Sequence, residues 1–398
     1  MKITKSNVHN LIFNISILIG FILPHDRTLF QLINFILIYL LYVTSCRSFL
    51  GINKLKYKYI FVVLVIISFS INVFLNYNVE FKDLARLFLF VSLFALFPFV
   101  LKVKISHKIL YFTLIYIVVS QFAYVLNIGF LVNFYNSLYP YTGDVRGFTS
   151  DFLIQNAGDI NLIVNRRYGG LFHNPNQLVR FVSLLLAVIL IENKNNSINK
   201  IAPFIIISVF SFILSGSRSG FLVGFILIVF SFVYLRENKF NLKGILISVF
   251  FILGIGFFIS VVFQSNSLRI FDVEEGFNGS IGTKIDWFFS FFNQLKSPLN
   301  FLFGHFTTSN LEKLYGVKLL DSEWGELFYS FGIIGSVSIL LFYYKLFSTK
   351  DKNIRFFLII LLWCISSTVI FSFRMSFLFM LFLSKYYSDY LINKKIIK

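Results

Sequence analysis

The chain has 398 residues, of which 57% are hydrophobic and only 14% are charged, and its mean hydropathy is +0.79. Apolar runs of about 20 residues, the length that crosses a bilayer as a helix, recur from one end to the other. This composition excludes an ordinary soluble domain and predicts an all-α polytopic membrane protein. The two cysteines, Cys46 and Cys364, lie far apart at apolar segments, so neither a disulfide framework nor a cysteine-based metal site is expected.

The apolar runs predict about 12 transmembrane helices in one integral membrane domain, residues 1–398. In chain order their ranges are 10–24, 28–45, 58–76, 84–101, 109–131, 176–192, 201–215, 219–235, 244–263, 323–344, 356–371 and 373–390. The first run is followed by Pro-His-Asp-Arg rather than by small residues, which favours a spanning helix over a cleaved signal peptide. An even number of spans places both termini on one side.

The net charge of +18 is divided unevenly between the two faces of this topology. The face with both termini also carries the segments 46–57, 102–108, 193–200, 236–243 and 345–355, which are rich in lysine and poor in acids. The opposite face holds as many acidic as basic residues. The positive-inside rule makes the basic face cytoplasmic, so topology explains the charge and no nucleic-acid partner is expected.

Two external segments, 132–175 and 264–322, are longer than a connector requires, and they are expected to carry short helices and the function. Basic residues on the external face are mostly arginines, whereas the cytoplasmic ones are mostly lysines. Because a guanidinium pairs bidentately with phosphate oxygens, this contrast favours a phosphate or pyrophosphate ligand. The candidate substrate-binding arginines are Arg146, Arg166, Arg167, Arg269 and Arg374. The alternative is that these side chains snorkel at the interface or pair with nearby acids.

Two short polar, glycine-rich stretches, Tyr168–Gln177 and Ser215–Gly220, lie beside long apolar runs. Asn174 and Pro175 predict a helix start, with asparagine as N-cap and proline at the first helical position. A serine on either side of Arg218 can cap the following helix in the same way. Arg218 would then lie beside free backbone N–H groups and the positive end of a helix dipole, which suits an anion.

Few residues of the external segments are suited to acid–base chemistry. His173 and His305 are the only histidines there, and either is a candidate general base near neutral pH. Asp321 precedes the tenth apolar run and is a third candidate, although it can also serve as the N-cap of that helix. Glu326 follows Asp321 by five residues and is grouped with the substrate-binding residues. No zinc, P-loop or dinucleotide motif is present, so no metal and no cofactor are expected.

Three segments follow one another between residues 168 and 341: YGGLFHNPNQLVRFVSLLL, ILSGSRSGFLVGFILIVF, and PLNFLFGH with DSEWGELFYSFGIIGSVSIL. They resemble, in order, the G-x-F-x-N-P-N-x-L-A, T-x-S-R-(G/S)-(G/A)-x-L and P-L-x-G-x-G … H-(N/S)-x-x-L-x-x-x-x-x-x-G-(I/L)-x-G segments of the O-antigen polymerase and ligase superfamily. Each motif is loose alone, but three in this order beside a long external segment form a specific pattern.

The resemblance implies a metal-independent membrane glycosyltransferase that uses undecaprenyl-diphosphate-linked glycans at the outer face of a bacterial inner membrane. It implies that Arg218 binds the diphosphate and that Asn174 and Asn176 belong to the substrate site.

The chain departs from the family in three ways. The Arg-x10-Gly motif that some polymerases carry in both external loops has no match, since the nearest spacings are Arg146-x11-Gly158 and Arg269-x9-Gly279. The other two departures are single positions. Lys284 stands where an arginine is frequent, and Asp321 stands where ligases have a catalytic histidine. The departure at Asp321 favours a polymerase over a ligase.

The expected function is therefore polymerisation of lipid-linked oligosaccharide repeat units into O-antigen or a related surface polysaccharide. A flippase and a chain-length regulator are expected partners, besides the lipid bilayer and the lipid-linked glycans. The alternatives are an O-antigen ligase and, in a different class, a polysaccharide-lipid flippase. A flippase is expected to line its helices with ionisable residues, whereas the predicted spans are nearly free of them and charge gathers at the outer face.

Overall fold

The computed structural model describes residues 5–23, 56–74, 106–126, 128–138, 169–172, 175–192, 198–215, 298–305 and 328–338, with residues 32, 33, 36, 37, 40, 289, 341 and 378. Over these residues the structure is helical and contains no strand, which confirms the predicted all-α class for that part of the chain. The described helices are α1 (Lys5–Ile22), α2 (Lys56–Phe74), α3 (His107–Val125), α4 (Gly129–Leu138), α5 (Pro175–Glu192), α6 (Ile198–Ser215), α7 (Pro298–Phe303) and α8 (Phe328–Ser338).

These helices coincide with some of the predicted spans. The spans at 84–101, 219–235, 244–263 and 356–371 lie outside the described residues, and those at 28–45 and 373–390 lie there almost entirely. Among the described residues, no single helix is long and apolar enough to cross a membrane by itself. By length and composition, the pair His107–Tyr124 and Gly129–Leu138 passes the test together, although the two helices are bent by 119°.

The bend corrects the prediction of one helix over 109–131. α3 ends at Val125, and α4 begins only at Gly129. The N–H group of Ile128 donates to the carbonyl oxygen of Ala123 at 3.0 Å, and that of Leu126 donates to Phe122 at 2.9 Å. The first of these is the six-to-one bond of a Schellman termination, which closes a helix rather than extending it. The sequence stays largely apolar on both sides of the bend, so a prediction from apolar run length missed the end of the helix.

The chain divides into two compact units, of which unit 1 comprises residues 1–37, 103–272 and 381–386. Its central helix is α5, whose described side chains from Leu178 to Leu190 are all buried. α5 packs against α3 and α6, and α3 also packs against α1. The ring of Phe181 on α5 lies 5.1 Å from that of Phe21 on α1, edge to face. A helix that is apolar all round is stable only when neighbouring helices surround it, as here.

Two contacts fix the relative direction of α3 and α6. The rings of Tyr111 and Phe204 stack with their centroids 3.9 Å apart. Further along both helices, Gln121 Nε2 donates to the carbonyl oxygen of Ser211 at 3.2 Å, and Ser211 Oγ donates to Gln121 Oε1 at 2.5 Å. Because both contacts advance along the two sequences together, α3 and α6 run parallel.

Unit 2 comprises residues 38–102, 273–380 and 387–398, and its described helices are α2, α7 and α8. The backbone after α7 touches the backbone of α8 at two glycines with positive φ, Gly304 (+76°) and Gly332 (+61°). A Cβ atom on Gly304 would lie under 3.0 Å from backbone atoms of Ser330 and Phe331, and one on Gly332 from those of Leu302. Side chains are therefore excluded at both positions. The hydroxyl of Ser68 on α2 donates to the carbonyl oxygens of Phe303 and Ser330, at 2.5 and 3.1 Å, and ties α2 to this junction.

Candidate functional site

The first polar stretch of the sequence forms a buried turn. The N–H group of Phe172 donates to the carbonyl oxygen of Gly169 at 2.9 Å, with Gly170 at φ +55° between them. A Cβ atom on Gly170 would lie 2.5 Å from Ser120 Oγ and 3.0 Å from Gln121 Cγ. The turn therefore rests directly on the carboxyl-terminal part of α3, and only glycine allows that approach.

The turn leads into α5, which begins at Pro175 as the sequence predicts. Proline suits this position because it has no N–H group to leave unbonded and its φ is already helical. His173 and Asn174 connect the turn to the helix and lie outside the described residues. Asn176 occupies the first turn of α5, and its side chain is likewise outside what the structure describes.

The second polar stretch begins at the same end of unit 1. α6 ends at Ser215, one turn beyond Ser211, and Ser211 is hydrogen-bonded to Gln121. Gln121 thus contacts α6 on one side and lies under the Gly169–Phe172 turn on the other. We call this region the motif end of unit 1: the Gly169–Phe172 turn, the first turn of α5, and the carboxyl-terminal turns of α3 and α6. The two polar stretches are separated in the sequence by α5 and α6, yet both begin at this end of unit 1.

A charged residue that the sequence reasoning missed lies close to the motif end. Arg180 is on α5, five residues after Pro175, or about 7.5 Å along the helix axis. Its side chain is fully buried at 0% relative exposure. A guanidinium stays protonated, so the interior of unit 1 holds a permanent positive charge, and that charge must be compensated by acceptors or anions. A single arginine in an apolar run was the available signal, since intramembrane charges mark functional sites by default.

Arg180→Met is expected to lower the stability of the protein by about 1–3 kcal/mol, because the buried groups that interact with the guanidinium would lose their donor while staying out of water. Arg180→Lys should recover part of this loss, since it keeps the charge but not the planar fork. Ser183→Ala is the matched control, because Ser183 is also buried on α5 but its hydroxyl bonds only Val179 of its own helix, at 2.6 Å. Thermal unfolding of the purified proteins in one detergent measures the effect. Equal melting temperatures for Arg180→Met and Ser183→Ala would show that the buried guanidinium does not stabilise the fold.

His305 is the one predicted catalytic residue that the structure describes, and it lies in unit 2 directly after Gly304. Its side chain is 2% exposed. Its backbone N–H group donates to the carbonyl oxygen of Tyr329 at 2.6 Å, and the two rings stack with centroids 4.8 Å apart. Burial disfavours the charged imidazolium and lowers the pKa of His305 from 6.5 to about 4. The imidazole is therefore neutral at pH 7 but a weak base, which weakens the case for His305 as the general base.

The depressed pKa of His305 gives the protein a pH-dependent stability with a definite sign. Well above pH 6.5 the residue is neutral in both the folded and the unfolded state, so its titration takes nothing from the free energy of unfolding. As the pH falls from 6.5 to about 4, only the unfolded state takes up the proton, so the folded state loses about 3 kcal/mol. His305→Phe keeps the stack on Tyr329 and removes the titration. Melting temperatures of both proteins across this range should diverge as pH falls, and parallel profiles would refute the burial effect.

The remaining predicted site residues lie outside the described residues, so their placement stays a prediction. They are Arg146, Arg166, Arg167, Arg218, Arg269, Lys284, Asp321, Glu326 and Arg374. Arg218 follows Ser215, the last residue of α6, by three positions in the sequence.

Comparison with known proteins gave no match to a family model, to a curated protein or to a solved structure.

Proposed function

We propose that the protein is an integral membrane glycosyltransferase that polymerises undecaprenyl-diphosphate-linked repeat units into a surface polysaccharide at the outer face of a bacterial inner membrane. The observation that carries the proposal is the convergence of two polar motifs at the motif end of unit 1. Gln121 contacts both the turn of the first motif and the helix that leads into the second. Arg218 in the second motif would then act beside the amino terminus of α5, where free N–H groups favour an anion.

The helix directions support the proposed topology. α3 and α6 belong to the fifth and seventh predicted spans, which must cross in the same direction, and their contacts run parallel. The turn that leads into α5, the sixth span, rests on the carboxyl-terminal part of α3, which agrees with a helix that returns through the membrane. In this topology the motif end faces outward, together with the external segments 132–175 and 264–322.

The proposed reaction transfers a growing glycan to an incoming repeat unit. An acceptor hydroxyl oxygen attacks the anomeric carbon of the glycan, a new glycosidic bond forms, and the bond from that carbon to the diphosphate oxygen breaks. Undecaprenyl diphosphate leaves with the electron pair, and its charge is stabilised by Arg218. Arg180 adds positive potential through poorly screened, low-dielectric surroundings. The acceptor proton passes to a base, and the burial of His305 weakens that residue as the candidate for this role.

A strain that lacks the gene is expected to display surface glycan capped with a single repeat unit, because ligation continues while polymerisation stops. Gel analysis of the surface glycan measures the capping, with the complemented strain as control. Polymer that accumulates on undecaprenyl diphosphate without surface attachment would favour the ligase instead. Absence of lipid-linked repeat units from the outer leaflet would favour the flippase.

A further inference from the structure

α4 leaves α3 at a fixed angle rather than at a flexible joint. The hydroxyl of Tyr124 on α3 donates to Oδ1 of Asn136 on α4 at 2.9 Å. Tyr135 of α4 is 2% exposed, and its ring meets that of Tyr116 on α3 edge to face at 5.7 Å. One hydrogen bond and one aromatic pair therefore join the facing sides of α3 and α4 and stabilise the 119° bend, so the orientation of α4 follows that of α3.

The exposed side of α3 is a continuous apolar stripe. Its members recur at helical spacing and fall within an arc of about 80° over about 21 Å of helix. They are Phe112, Ile115, Val119, Phe122 and Leu126. α4 also exposes large apolar side chains beyond the bend, where Phe130 and Phe134 are 75% and 47% exposed. An exposed apolar surface of this length is what a lipid-facing helix presents.

The exposed side of α4 is split into two edges, unlike that of α3. Phe130 and Phe134 form an aromatic edge, whereas Asn133 and Asn136, both exposed, form a polar edge. At about 100° per residue, the centres of the two edges are about 110° apart, with the exposed Ser137 between them, and Tyr135 points away from both toward α3. A helix with a hydrocarbon-seeking edge next to a water-seeking edge fits the boundary between lipid and water.

We propose that α4 lies along the outer surface of the membrane, with its aromatic edge among the upper acyl chains and its polar edge in water. The occupant of the aromatic edge is the bilayer itself, because a helix bent by 119° from a membrane-crossing α3 runs roughly along the surface of the same bilayer. The inference rests on the membrane placement of α3 in the proposed function. Since α4 begins where α3 reaches the motif end, it would set the depth of the motif end relative to the lipid headgroups.

Site-directed spin labelling of the full-length protein tests this placement. The native cysteines are replaced in a Cys46→Ser, Cys364→Ser background that must keep the wild-type melting temperature. Single cysteines are then introduced as Phe130→Cys, Phe134→Cys, Asn133→Cys and Ser137→Cys, with Val119→Cys as the depth control on α3. The labelled proteins are reconstituted in vesicles of phosphatidylethanolamine and phosphatidylglycerol. Collision rates with oxygen, which partitions into lipid, and with a water-soluble nickel chelate report the depth of each label.

Labels at 130 and 134 should collide preferentially with oxygen, at a shallower depth than the label at 119. The label at 133 should collide preferentially with the nickel chelate, and the label at 137, which lies between the two edges, should be at an intermediate depth. If all four α4 labels are in water while the label at 119 is in lipid, α4 stands clear of the membrane and only this inference fails. If 130 and 134 are as deep as 119, α4 is inserted and the inference also fails. A label at 119 in water would overturn both the inference and the membrane placement of the proposed function.

Discussion

Arg218→Ala is expected to reduce polymer synthesis by about 10²–10³-fold, which would leave no detectable polymer at normal expression. Removing one contact that stabilises developing charge in a transition state costs roughly 3–4 kcal/mol in enzymes. In the proposed reaction this charge develops on the diphosphate leaving group. A guanidinium can bridge two of its oxygens, whereas an ammonium offers only a point charge. Arg218→Lys should therefore also be severely impaired.

The matched control for Arg218 is Arg236, which the predicted topology assigns to the cytoplasmic face. Arg236→Ala should leave polymer length and yield close to normal, because it has no part in the external chemistry. Both variants are compared at equal membrane abundance by gel analysis of the surface glycan. If Lys substitutes well at 218, or if polymer falls only in step with protein abundance, Arg218 is an interfacial anchor and not a substrate ligand.

Gly304→Ala and Gly332→Ala are each expected to destabilise unit 2 by about 2–5 kcal/mol. A non-glycine residue at positive φ costs about 1–2 kcal/mol, and forcing a methyl group into a packed contact adds about 1–3 kcal/mol. Both costs apply, because each new Cβ would meet backbone atoms of the other segment, which cannot rotate away as a side chain would. The backbone contact between the end of α7 and α8 must open, and the hydrogen bond from His305 to Tyr329 opens with it.

Gly129→Ala provides the control, because a Cβ atom there meets nothing within 4 Å and the residue lies at the start of a helix. It should be neutral or slightly stabilising, since alanine has the higher helix propensity. Thermal unfolding and the monodisperse fraction after purification are measured for all three variants. Melting temperatures of Gly304→Ala and Gly332→Ala that match Gly129→Ala would show that the junction relaxes freely.

Local sequence rules predicted the features that depend on neighbouring residues. The start of α5 at Pro175 follows from the fixed φ and missing N–H group of proline, and the structure begins the helix there. The helical class of the described residues follows from the length and apolarity of the runs. The same rules located α2, α5 and α6 within a few residues.

Two local features of the sequence lie where the structure differs from the prediction. Asn127 and Gly129 interrupt the run at 109–131, and asparagine and glycine are the residues that most often follow a helix end. Arg180 interrupts a nearly uniform apolar run. Hydropathy averaged over a window hides both, because one polar residue changes the mean little while its structural consequence is large.

The burial of His305 is not readable from its neighbours in the chain. It depends on Tyr329 and on the approach of Gly304 to Gly332, and a positive φ at both glycines is one of several conformations that glycine allows. The convergence of the two motifs through Gln121 is likewise a result of packing between α3 and α6. Such contacts join residues that are far apart in the sequence, and helical periodicity cannot predict them.

The hydroxyl of Ser68 sets a constraint on how the chain is made. Its acceptors, on Phe303 and Ser330, follow it by 235 and 262 residues. At a synthesis rate of about 5–20 residues per second, α2 emerges from the ribosome roughly 10–50 s before either partner exists. During that interval α2 lacks the two carbonyl groups that its serine binds in the folded protein, and a nascent chain stalled between α2 and α7 would leave unit 2 incomplete. Biogenesis of this protein should therefore be sensitive to the pace of translation across the intervening residues, including those that build unit 1.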